Sequence, residues 1–314
     1  MVQKSKMKVL VAGASGFIGR NFLELAPRDI EIIAIYNSSK DIQDFIKNKD
    51  LKNVKLYKCD LTKEDQTKEL FQKIGKKFDY CLYMASNVNV PLSKENPKKD
   101  AELTILTFLN FMQSLENINR LIYLSTAGVY DGNKGLVTVE AKINPKVPYC
   151  ISKAVAEQYV KFYNSIGKIN EYAIIRFGGA FGQYSERKFM TRLVKDLMEN
   201  KSEIEVYGDG TNIINIMYAK DAIKALLTAL SSKKSSLTTN LGQENLTIKE
   251  TVERTAKALG KKVKIKYTPR LEKQKYIDFR IKVDFNETFN FNPDYSFEDG
   301  IKEFAGLLKN ESKK

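Results

Sequence analysis

The chain contains no histidine, which removes His-based catalytic triads, His metal ligands and His general bases together. Any acid/base chemistry must come from another side chain. Cysteine is scarce: Cys59, Cys81 and Cys150 are an odd number without metal-type spacing, so they read as reduced thiols, with neither a disulfide framework nor a metal site. No apolar run approaches the ~20 residues needed to span a bilayer. The basic start, Met1-Val2-Gln3-Lys4-Ser5-Lys6, leads directly into a strand-like run instead of a signal-peptide core, so a soluble, cytoplasmic protein without membrane attachment is expected. Internal repeats and low-complexity linkers are lacking too.

What is present is a chain of 314 residues, 43% hydrophobic and 29% charged, long enough for one large domain or two smaller ones around a sizeable core. Lys+Arg number 52 against 38 Asp+Glu, a formal charge of +14, which directs attention to nucleic acid, anionic membrane or phosphorylated small molecules as partners. Short β-rich runs at 8–12, 32–35, 54–57, 80–84, 121–124 and 173–176 alternate with helix-period segments. Strands separated by helical patterns imply βαβ units and a parallel sheet. Thr62, followed three residues later by Asp65, predicts a capped helix with Leu70, Phe71 and Ile74 on its apolar face. A second helix is predicted over 97–113, with Pro97 in its first turn. Its apolar face, Leu103, Leu106, Phe108, Leu109 and Met112, is broad enough to be covered by the sheet on one side and a second subunit on the other. After residue 177 the alternation weakens, broken by Gly178, Gly179, Gly182, Gly208 and Gly210. Alternating Val263, Ile265 and Tyr267 predict an exposed strand with lysines on its wet face.

Gly13-Ala14-Ser15-Gly16-Phe17-Ile18-Gly19 follows the first strand and opens a helix through Phe22, Leu23 and Leu25, the context that gives a glycine cluster meaning. Gly13 permits the tight turn, Gly16 lets the backbone approach a pyrophosphate, and Gly19 lets helix and strand pack closely. The helix N-terminus offers unpaired N–H groups to the anion, with Ser15, Phe17 and Ile18 lining the same turn. Where a dinucleotide site places an acid to hold the ribose 2′-OH, this chain reads Ile35-Tyr36-Asn37-Ser38-Ser39-Lys40, with no acid. Asn, Ser and Lys can donate to a 2′-phosphate that a carboxylate would repel. Tyr36, Asn37 and Ser38 are therefore candidate adenosine contacts, and NADP(H) is expected in preference to NAD(H), which stays possible.

Tyr149-Cys150-Ile151-Ser152-Lys153 places a tyrosine and a lysine one helical turn apart on the same face. A free phenol titrates near ~10, so service as a base at neutral pH needs a shift of roughly 3 units, about 4 kcal/mol, part of which a neighbouring cation supplies. The order of glycine turn, strand-end hydroxyls Ser125-Thr126, then Tyr149 and Lys153 resembles the extended branch of the short-chain dehydrogenase/reductase superfamily, the NAD(P)-dependent sugar-nucleotide epimerases, dehydratases and reductases. The likeness spans nearly the whole chain. Cys59-Asp60-Leu61 looks like the family's adenine-contacting Asp after strand three, and Met84-Ala85-Ser86 like the small-residue end of strand four beside the cofactor. Leu124-Ser125-Thr126-Ala127-Gly128-Val129-Tyr130 is similar to the segment that supplies the catalytic Ser/Thr. Val206-Tyr207-Gly208-Asp209-Gly210, Tyr218-Ala219-Lys220-Asp221 and Phe289-Asn290-Phe291-Asn292-Pro293 look like later landmarks.

The resemblance implies an α/β architecture: a Rossmann-type doubly wound parallel sheet over 1–177 with a returning segment at about 212–240, and a smaller substrate-binding domain from 178–211 and 241–314. It implies Tyr149 as proton donor and acceptor, Lys153 bridging the nicotinamide ribose, and Thr126 bonding the reacting oxygen. Asn87, Thr126, Asn215 and Arg280 are the implied substrate contacts, a nucleotide-linked sugar the substrate, and helices at 97–113 and 148–165 the seam of a homodimer. Several positions depart from the family pattern. Dehydratases carry acids just after the Ser/Thr, where this chain has Ala127 and Gly128, so elimination lacks its acid and base. The Asn after strand six is Gly178 or Gly179, Thr104 stands near another customary Asn, and the Arg that holds a substrate pyrophosphate is Ile214 beside Asn215. Arg187, Lys188, Arg192 and Arg280 are candidate replacements for that charge.

These features lead to an NADPH-dependent 4-keto-sugar reductase as the principal expectation, with an NAD-dependent sugar-nucleotide epimerase as the alternative. A non-catalytic dinucleotide-binding or RNA-binding module is a more distant reading, encouraged by the +14 charge. Intact Thr126, Tyr149 and Lys153 oppose it, and the lysines are scattered with little aromatic interleaving, so nucleic acid is not the expected partner.

Overall fold

The computed structural model describes residues 7–185, 188–269 and 277–311; the segment 1–6 and Arg187, both singled out above, lie outside the described residues. Seven strands, β1 (Lys8–Ala12), β2 (Glu31–Tyr36), β3 (Val54–Lys58), β4 (Lys77–Tyr83), β5 (Asn117–Thr126), β6 (Ile169–Phe177) and β7 (Leu237–Leu241), form one sheet in the order β7-β6-β5-β4-β1-β2-β3. Every neighbouring pair in it is parallel. Such a sheet needs cover on both faces, and its strands are accordingly near-continuous apolar runs: Val9 to Ala12 and Ile32 to Tyr36 are buried throughout.

Alternate residues feed two cores. Val9, Val11, Ile32 and Ala34 pack with Phe22 and Leu23 of the helix Phe17–Leu25 and with Leu226 and Leu230 of the helix Ala219–Ser231. Leu10, Ile33 and Cys81 pack on the other face with Phe71 of Glu64–Ile74, Phe108 and Phe111 of Thr107–Ser114, and Ala156 and Val160 of Pro148–Ser165. Each fully buried Val, Leu, Ile or Phe among them contributes roughly 1.5–3 kcal/mol. The chain winds outward from β1 through β2 to β3, then crosses to β4 and winds the other way. That reversal leaves a crevice beyond the carboxyl ends of β1 and β4, where such folds bind ligands.

A third core, including Phe181, Leu193, Val206, Tyr218, Val252, Phe297 and Phe304, gathers residues beyond the end of β6. The expected returning segment divides here. Its strand Ile213–Tyr218 pairs with Ala180–Phe181 and Glu244–Thr247 in a separate sheet, while the helix Ala219–Ser231 and β7 rejoin the main one. Lys264–Thr268 is a strand, paired in parallel with Glu203–Tyr207, and Lys266 faces Glu203 and Glu205 across it.

Two helix predictions change. The capping role given to Thr62 fails because its N–H and hydroxyl both donate to the Asp60 carboxylate, at 3.0 and 2.8 Å, and the helix begins at Glu64. The 97–113 helix is not one regular α-helix: Pro97–Ala101, capped by the Asn96 side chain, widens over Glu102–Leu106 into a π-type turn before resuming at Thr107–Ser114. Within that turn the buried Thr104 hydroxyl accepts the Asn87 N–H at 3.2 Å. Among the described residues no helix is long and apolar enough to cross a membrane, and the three cysteines are buried and unpaired with one another.

Candidate active site

The crevice is a cleft of about 590 Å³. The glycine turn forms one end of it, and two of its glycines are demanded by the fold. Gly13 has φ +88°, and a Cβ there would lie 2.8 Å from the Ala85 nitrogen. A Cβ on Gly19 would lie 2.5 Å from the carbonyl oxygens of Gly13 and Ala14. Gly16 differs: its nearest neighbour would be the Gly13 oxygen at 3.5 Å, an ordinary contact, yet Gly16 lines the cleft. The protein's own packing leaves room for a side chain there, so the cradle is open toward a ligand. Gly16 is also the cap of the helix Phe17–Leu25, whose first turn has no capping side chain and no acid, leaving its N–H groups to an anion. This donor set fits a dinucleotide pyrophosphate.

The other end is built of side chains. Thr126, at the carboxyl end of β5, accepts the Gly128 N–H at 3.1 Å and hydrogen-bonds with Tyr149 in the first turn of Pro148–Ser165. One turn on, the buried Lys153 donates to the Leu124 carbonyl at 2.6 Å, and its ammonium lies 4.7 Å from the Tyr123 ring centre. Burial pushes the Tyr149 phenol above its ordinary range. Burial also pulls Lys153 down to about 7, against the upward pull of Glu157 and Asp100. The protein alone thus holds Tyr149 as a neutral phenol beside a lysine that titrates near neutrality.

Behind this pair lie two buried carboxylates. Glu157, a further turn along the helix, accepts from Ser125 at 2.6 Å and from Arg176 at 2.8 Å; Arg176 also donates to the Tyr130 hydroxyl at 2.7 Å. Asp100 accepts from Asn87 at 2.6 Å and Ser152 at 2.7 Å. All of these polar groups are paired, as buried groups must be, so the helix carrying Tyr149 is fixed to β5, β6 and the helix Pro97–Ala101.

Of the residues singled out from sequence, Gly13, Ser15, Gly16, Phe17, Ile18, Gly19, Tyr36, Asn37, Asp60, Leu61, Ala85, Ser86, Thr126, Tyr149 and Lys153 all line this one cleft. Ser38, Asn87, Asn215 and Arg280 do not line it. Ser38 is exposed on the loop after β2. The Asn87 amide nitrogen donates to the Asp100 carboxylate and the Asn89 carbonyl. Arg280 is exposed on the short strand Phe279–Ile281. Asn215 is wedged between glycines: a Cβ on Gly178 would lie 2.6 Å from its Oδ1, and one on Gly242 would overlap it. That oxygen is buried without a hydrogen-bond partner, while the amide nitrogen donates to Asn245.

Of the candidate cations, Arg192 is exposed near Asp196, whereas Lys188 lines the cleft with its ammonium 4.4 Å from the Phe17 ring centre. Val88, Leu103, Thr107 and 177–180 also line the cleft. Leu103 and Thr107 are one turn apart, a spacing that reads as core in the sequence. Glu157 had a usable signal, continuing the Tyr149–Lys153 spacing by another four residues.

Comparison with known proteins agrees with this geometry. A relative from Methanocaldococcus jannaschii named "Putative UDP-glucose 4-epimerase" is 27% identical over 97% of this chain and 99% of its own length. UDP-glucose 4-epimerase from Thermotoga maritima, solved with UDP-glucose, superposes with a TM-score of 0.84 at 20% identity, covering 98% of this chain and 100% of the other. The Thermus thermophilus UDP-glucose 4-epimerase solved with NAD gives 0.81 at 22% identity, covering 96% and 99%. At these identities the superpositions establish the Rossmann-like fold. Residues 9–242 match the NAD dependent epimerase/dehydratase family, and the chain therefore belongs to that family, as an enzyme of the extended short-chain dehydrogenase/reductase type.

Proposed function

We propose that this enzyme is a sugar-nucleotide epimerase that uses a retained nicotinamide dinucleotide, in place of the NADPH-dependent keto-sugar reductase expected from sequence. The observation that carries the reading is the convergence of Thr126, Tyr149 and Lys153 on the floor of the cleft whose opposite end is the glycine turn. The family match and the 4-epimerases among the similar proteins favour epimerisation over reduction.

The bound dinucleotide would supply a reversible hydride acceptor. Gly13, Gly16 and the N–H groups of Phe17–Leu25 would hold its phosphates, Asp60 and Asn37 would face its adenosine, and Lys153 its nicotinamide ribose. Thr126 orients the sugar hydroxyl. Tyr149 works as the phenolate, its own proton released to solvent beforehand: it takes that hydroxyl's proton and returns it after the sugar has turned its other face. Because burial favours the neutral phenol, the phenolate depends on the cationic Lys153 and on the positive charge the oxidised dinucleotide would supply. Lys188 is placed to meet substrate or cofactor phosphate at the mouth. The third core, around Phe181, Tyr218 and Phe297, forms the substrate-side lobe. Exposed Ile151, Val155, Phe162 and Ile166, together with Leu106, form an apolar face on the helix pair, which serves as the seam of a homodimer.

Incubation with UDP-glucose, UDP-N-acetylglucosamine and their C4 epimers, followed by NMR of the sugar, tests the reaction. Interconversion without added cofactor, and near-stoichiometric NAD released on denaturation, are expected. Consumption of NADPH with a keto sugar and no interconversion would restore the reductase reading.

A further inference from the structure

The preference for NADP(H) rested on the missing acid at the end of β2. The fold supplies an acid there by another route. Arg20, the residue after Gly19, runs its side chain along the turn: Nε donates to the Ser15 carbonyl at 3.1 Å, and one terminal nitrogen donates to the Ser39 hydroxyl at 3.0 Å and the Asp41 carboxylate at 2.8 Å. Ser39 also donates to Asp41 at 2.8 Å. The guanidinium lies 5.1 Å from the Phe45 ring centre, and its side chain is 14% exposed against 71% for Asp41. Arg20 is therefore fixed from three sides, while the carboxylate that closes its fourth stands in solvent.

Ser15, whose carbonyl Arg20 meets, and Asn37, two residues before Ser39, both line the cleft. A guanidinium beside the loop after the second strand is the group that receives a ribose 2′-phosphate in dinucleotide folds, through paired N–H donors. Asp41 takes up one of Arg20's two terminal nitrogens, neutralises the guanidinium charge, and adds a negative charge that a 2′-phosphate would meet at close range. Selectivity achieved by placing a repulsive group against the competitor needs no new contact to the preferred ligand.

We propose that Asp41 sets the choice of dinucleotide by occupying Arg20: the closed pair selects NAD(H), and removing the carboxylate exposes a latent 2′-phosphate site. This inference rests on the reading of the cleft as a dinucleotide site and concerns which dinucleotide enters. The Ser39 and Arg20 bonds hold the Asp41 carboxyl below its usual range, so the latch stays closed through mildly acidic pH.

The test is binding, not turnover. Protein stripped of nucleotide with charcoal is titrated with NADH and NADPH by fluorescence, as wild type, as Asp41→Asn and as Arg20→Met/Asp41→Asn. Wild type is expected to favour NADH. Asp41→Asn should tighten NADPH by about tenfold or more, the scale of one charge-assisted contact, with NADH within about twofold. The double variant should lose that gain. An unchanged NADPH affinity in Asp41→Asn, a gain that survives loss of Arg20, or a wild type that already favours NADPH would each overturn the proposal. Loss of all binding to wild type would remove the dinucleotide reading itself, a different result from an unaltered preference.

Discussion

The two ends of the cleft are made of different materials. At the glycine turn the site is backbone: a Cβ on Gly13 or Gly19 would lie 2.8 or 2.5 Å from main-chain atoms, so neither position admits a side chain. At the reacting end it is side chains, a half-buried Tyr149 against Thr126 and a buried Lys153, on a helix tied down by buried Ser125, Glu157, Arg176 and Asp100. A backbone site fails by steric exclusion, almost independently of pH. A side-chain site fails by losing one proton or one partner, and its behaviour changes with pH.

Five substitutions test that contrast. Tyr149→Phe should lower kcat by roughly 100- to 10,000-fold, the range of general acid/base catalysis, while calorimetric NAD binding at the backbone end stays intact. Parallel loss of binding would merge the two ends into one. Glu157→Gln leaves Arg176 without its anion and should cost about 3–5 kcal/mol in urea unfolding; a cost under 1 kcal/mol would show that the buried network is dispensable.

At the turn, Gly19→Ala should lose about 1–3 kcal/mol because its methyl meets two carbonyl oxygens. Gly16→Ala should leave stability unchanged and weaken dinucleotide binding, and the reverse ranking in thermal melts and titrations would break the distinction. The last test is read against pH. Lys153 titrates at about 7 when folded but near its ordinary 10.5 unfolded, so between about pH 7 and 9 the unfolded chain binds the extra proton and the stability of the nucleotide-free protein rises with pH. Lys153→Met should flatten that rise; an equal slope in both proteins would place the titration elsewhere.

What the sequence discloses follows the same division. The glycine turn is a local pattern after a strand, and Tyr149 with Lys153 is a four-residue spacing, so both are legible without coordinates. The sheet is legible for a similar reason, since strands buried on both faces appear as apolar runs. Asp100 and Arg176 are not legible as site residues: Asp100 meets Ser152 across 52 positions, and Arg176 meets Glu157 across 19. The partner of the Asn87 amide, Asp100, is hidden for the same reason. The missing acid after β2 was a true local observation with an incomplete consequence, since Asp41 is returned to the turn by Arg20 from the first helix.

Asn215 joins two departures that look separate along the chain. Its amide fills the space that side chains at Gly178 and Gly242 would need, so the three positions behave as one mutational unit. Scanned singly, 178 and 242 will register as intolerant and 215 as permissive toward smaller residues. Taken together, Asn215→Gly should rescue Gly178→Asn, a sign-reversing epistasis in which the lost amide is restored at the far side of the same small volume.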